Sequence, residues 1–182
     1  MPGRPTRTQP DLERAAREVC KDWTAAAHLA HHAETTFPFV RSPEQTAVIT
    51  ALLVHYRCLV NFVSGNYVGK WGNHDINPED FMGHPWWPSD DDLDRDMRGR
   101  LRILNTEQQH ISWSRLDDRL TMWPVGFLIR EVNAALSEFT DLLVQRGLHG
   151  AAQFERARVA AGSLLPHREF RAISVVEQAP AR

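Results

Sequence analysis

Between residues 101 and 115 the chain reads LRILNTEQQHISWSR, and the residue types there could do chemistry. On a helix, Arg102, Thr106 and His110 stand four residues apart and share a face that Ser114 continues. That polar stripe spans about 12 Å from Arg102 to His110. Leu101, Leu104 and Ile111 fall on the other side, toward a core. An imidazole ionises near neutrality and can accept or return a proton, whereas a guanidinium holds an anion. The plain alternative is an ordinary helix whose His and Arg face water.

Two further groups compete with this stripe. In HLAHH, His28, His31 and His32 stand three and four residues apart, so two imidazoles can share a helix face, with Glu34, His55 or His110 completing a metal shell. The segment lacks a His-Glu-x-x-His pattern, and histidines at a helix end gain stabilisation from the C-terminal dipole. No metal and no cofactor is therefore assigned. The other group is Asp75, Glu79, Asp80, Trp86 and Trp87, in a long stretch punctuated by Gly, Pro, Asn and Asp. Acidic residues followed by Arg98, Arg100 and Arg102 read most simply as a solvated, ion-paired surface. An exposed Trp pair would instead offer a platform for bases or for a protein.

The elements that must position these groups are helical. Residues 1–9 hold little to bury and read as a disordered leader. From Pro10, apolar or small residues recur at Leu12, Ala15, Ala16, Val19, Trp23, Ala26, Ala27 and Ala30, close to a helical period. Ser42, Pro43 and Glu44 start a second helix that is apolar nearly all round, which predicts the central, most buried element. Ser89 and the following acids cap a third helix that runs through His110. After Pro124, Phe127, Leu128, Val132, Leu136, Phe139, Leu142 and Leu143 define a helix ended by Gly147, and residues 151–165 form a shorter one. The expected fold is all-α: an antiparallel four-helix bundle over residues 10–163, with a long aromatic and acidic crossover loop and a loose tail from 164 to 182.

A chain of 182 residues buries a core without a staple, and its 42% hydrophobic and 24% charged residues suit a globular protein. Cys20 and Cys58 lie in helical segments and read as two buried thiols. No apolar run approaches the roughly 20 residues that cross a bilayer, and no apolar segment follows the basic N-terminus, so membrane association is not expected and the cytoplasm is. The net charge of −2 gives no general electrostatic reason for binding nucleic acid.

YRCLVNFV, DINPEDF, LNTEQQHISWSR and the helix containing EFTDLL follow one another in this order. Together they resemble the HEPN superfamily (higher eukaryote and prokaryote nucleotide-binding domains), including its abortive-infection and toxin-like members, over roughly residues 44–145. The resemblance implies metal-independent RNA cleavage by an Arg-polar-x4–6-His motif, usually paired across a homodimer cleft. It places His110 and Asn105 at the catalytic positions, with Leu104 where the motif's Arg is expected. Arg102 would supply that charge, or Arg57 or Arg115 would from elsewhere, with Trp86 as a further contact to substrate. RNA or a nucleotide is the implied ligand, and an antitoxin or defence component the implied protein partner. The alternatives are a non-catalytic interaction module on the same bundle and a metal-dependent bundle enzyme.

Overall fold

Thr8 starts the first helix. Its hydroxyl donates to Asp11 Oδ2 at 2.6 Å, its backbone N–H donates to the same oxygen at 3.2 Å, and the pair satisfies donors that the first turn leaves open. These bonds hold the Asp11 carboxyl below the usual carboxylate range. The computed structural model describes residues 7–36, 43–64, 75–90 and 125–165, all-α in character with no strand among the described residues. Helix α1 is Gln9–Thr36, α2 is Pro43–Val63, α3 is the short Pro78–Met82, α4 is Val125–Gln145 and α5 is Ala151–Leu164. Helix α1 begins one residue before the expected Pro10, inside the expected leader. The expected third helix lies outside the described residues, as does the tail beyond 165.

The helices form a bundle because each turns an apolar stripe inward. Helix α1 packs on α2, α4 and α5, and α4 packs on α2 and α5. From α1 the small residues Ala16, Ala26, Ala27 and Ala30 are buried, which lets neighbouring helices come close. Trp23, the large exception, donates from Nε1 to Asn133 Oδ1 on α4 at 3.2 Å. Helix α2 is less enclosed than its apolar sequence suggests, since Val54 stays 55% exposed and Cys58 is exposed as well. Both thiols correct the expectation of buried cysteines: Cys20 is only half-buried and Cys58 is at the surface.

Phe139 on α4 is the hub of an aromatic cluster. Its ring centroid lies 5.4 Å from Phe62, 6.0 Å from Phe81, 5.0 Å from Trp86 and 5.3 Å from Phe154, largely edge to face. One side chain thus joins α2, α3, the segment after α3, and α5. That segment is extended and runs antiparallel along α4: His84 meets Arg146, Trp86 meets Phe139, and Ser89 bonds Glu138. Gly83, in the left-handed region at φ 72°, ends α3 and turns the chain into this path. Gly150 starts α5 with φ 86°, and a Cβ there would sit 3.1 Å from Ala16 Cβ and 3.4 Å from Phe81. Among the described residues, no helix is long and apolar enough to cross a membrane.

Candidate functional site

Helix α2 carries the one residue of the proposed site that the described residues include on a helix. Arg57 is half-buried there, and its Nε is fully enclosed with no hydrogen-bond partner among the described residues. A guanidinium nitrogen is an obligatory donor, so enclosing it unpaired costs on the order of 1–3 kcal/mol unless an acceptor arrives. His110, Asn105, Arg102 and Arg115 lie outside the described residues. Trp86 has a core position, 8% exposed against Phe139, so its ring faces are committed to packing. Its neighbour Trp87 is 49% exposed, because successive side chains of an extended segment point to opposite sides. The Trp pair is therefore split, one ring inward and one outward.

Of the three histidines of α1, His28 is exposed and the other two meet local partners. His31 Nδ1 lies 3.0 Å from the Leu164 carbonyl oxygen, which joins the end of α1 to the end of α5, and His32 Nδ1 lies 3.0 Å from Thr36 Oγ1. Among the described residues, no group of three or more His, Cys, Asp and Glu side chains is disposed to hold a metal ion. Close by, burial raises the Glu34 carboxyl above its ordinary range, with Arg130 and His31 pulling the other way.

A pair that the sequence spacing did not reveal joins α1 to α2. His55 Nδ1 lies 2.8 Å from Asp22 Oδ1, both side chains a little over a quarter exposed. A carboxylate bonded to one ring nitrogen fixes the tautomer and directs the other nitrogen away, as in oriented general bases. Cys58 follows one turn later on α2, yet burial first and the Asp22 charge second push its thiol upward. The residue's exposed surface moderates the effect of burial, but both influences keep Cys58 a thiol rather than a nucleophilic thiolate. Cys20 is pushed by burial up to about 12, so it is inert at neutral pH. Asp22 and His55 lie 33 residues apart on separate helices, and no motif of fixed spacing could have announced them.

Comparison with family models, with curated proteins and with solved structures gave no match.

Proposed function

We propose that this chain is a HEPN-like four-helix protein that binds RNA and cleaves it without a metal. His110 and Asn105 are its acid–base and polar groups, and Arg57 supplies the cation that Leu104 does not. The observation that carries this reading is the enclosed Arg57 Nε, which has no acceptor among the described residues and stands in the YRCLVNFV segment of the resemblance. Once the groups covering it move aside, a phosphate oxygen would satisfy that donor and would be held by the charge as well. Arg102 and Arg115 extend the cationic lining. The His110 ring takes the 2′-hydroxyl proton or returns one to the leaving oxygen, work suited to an imidazole near neutral pH. In this reading two copies pair to complete the cleft, and an antitoxin or defence component is the protein partner.

Fluorescence anisotropy with a labelled single-stranded RNA tests the Arg57 role. Arg57→Ala is expected to weaken binding by about tenfold or more, in line with a lost charge-assisted hydrogen bond of about 1.5–3 kcal/mol, and Arg57→Lys to restore part of it. Equal binding by wild type and Arg57→Ala, with unchanged melting temperature, would refute it.

Two observations favour a second reading, a non-catalytic interaction module: Leu104 replaces the motif's Arg, and Trp87 is half-exposed on a segment fixed along α4. Capture of a protein partner that is lost in Trp87→Ala and retained in His110→Ala would select it.

A further inference from the structure

The segment HPWWP, residues 84–88, meets the end of α4 through an imidazole whose two nitrogens face groups of opposite kind. His84 Nδ1 lies 3.0 Å from the Pro85 carbonyl oxygen, which only accepts. Its Nε2 lies 2.8 Å from Arg146 Nη1, which only donates. Both contacts are hydrogen bonds in one state of the ring alone: neutral, with the proton on Nδ1 and the lone pair on Nε2 turned to the guanidinium. A second proton on Nε2 would set N–H against N–H and cation against cation. From this geometry we propose that His84 is a proton-sensitive latch that fastens the start of the HPWWP segment to α4 only while its ring is neutral.

Arg146 is the cation that α4 presents to the ring. Of the two acids of α3, Glu79 and Asp80, the Asp80 carboxylate accepts from the Asn77 N–H at 2.9 Å and lies 3.7 Å from Arg7. Glu138 is two turns away along α4, held by the Ser89 N–H and hydroxyl. The segment therefore stays on α4 at Trp86 and Ser89 when the latch opens, and the chain from His84 to Ser89 resettles about those two points. Trp87, the exposed ring of this segment, lies between the latch and the Ser89 anchor, so its setting on the surface follows the protonation of His84.

The contact is exposed, so opening should reduce the closed population by about two- to fivefold, the scale of a surface ion contact. The test follows the indole N–H signal of Trp87, assigned by Trp87→Phe, from about pH 5 to 8, the range in which imidazoles titrate. The wild type should show an inflection that disappears in His84→Asn. In Arg146→Met, which keeps the imidazole but removes its donor, the Trp87 response should shrink. No inflection in wild type, its persistence in His84→Asn, or a Trp87 response of undiminished size in Arg146→Met would each overturn the latch; the last would show a mere effect of nearby charge.

Discussion

At the scale of single residues, what matters is which polar groups the bundle encloses and at what cost. Arg57 and Glu34 are two such groups, one cationic and one acidic, and they differ in consequence. Burial disfavours the Glu34 carboxylate, so its pKa is higher in the folded chain than in the unfolded one. A raised carboxyl pKa means that the folded state binds the proton more tightly. Relative stability is then greatest below the unfolded value, about pH 4.3, and is lost as pH climbs through the raised folded value. Glu34→Gln is accordingly expected to raise the melting temperature at pH 7 and to lose that advantage as pH falls toward 4. A melting series across this range checks it, and a gain that grew on acidification would contradict it. The polar stripe from Arg102 to His110 stands out as a candidate by residue type and spacing, and it lies outside the described residues. The enclosure of Arg57 and the Asp22–His55 pair were not, since both depend on which helices meet.

At the scale of elements, helices were legible wherever apolar residues recur with a helical period, and their ends where Pro43 or Gly147 supplies a start or a stop; the start behind Thr8 was not, since it falls in the expected leader. The run after Pro124 is the clearest case, realised as α4 with Leu128, Val132, Leu136, Phe139 and Leu143 buried in turn. Helix α3 was not legible, since five residues are too few to show a period; its Pro at the first turn and the acids behind it were the available signal. The split of Trp86 from Trp87 likewise needed the course of the segment along α4. The α4–α5 turn illustrates how tightly elements constrain one another. Gly150 combines a left-handed backbone with a Cβ site pressed against Ala16 and Phe81, so Gly150→Ala is expected to destabilise by about 1–3 kcal/mol. Gly162, inside α5 with nothing within 4 Å of its Cβ site, is the counterpart: Gly162→Ala should stabilise by about 0.5–1 kcal/mol. Denaturant midpoints of the two variants, compared with wild type, report both signs at once.

At the scale of the whole molecule, an all-α body follows from the abundance of helical periods and the scarcity of alternating ones. Its cohesion comes from a feature no single period shows: four aromatic rings from separate elements converge around Phe139. The small residues of α1 allow this closeness, and the segment after α3 is drawn into the core by Trp86 while leaving Trp87 outside. On this frame the proposed ribonuclease joins a cation on α2 to an imidazole supplied by the chain between residue 90 and α4. Cleavage of a single-stranded RNA by the full chain in the presence of a chelator, wild type beside His110→Ala, tests that claim most directly. Cleavage by the wild type is expected, with a loss of about 100-fold or more in the variant, the scale of a missing general acid–base group. Absence of cleavage by the wild type, or equal cleavage by both proteins, would contradict it.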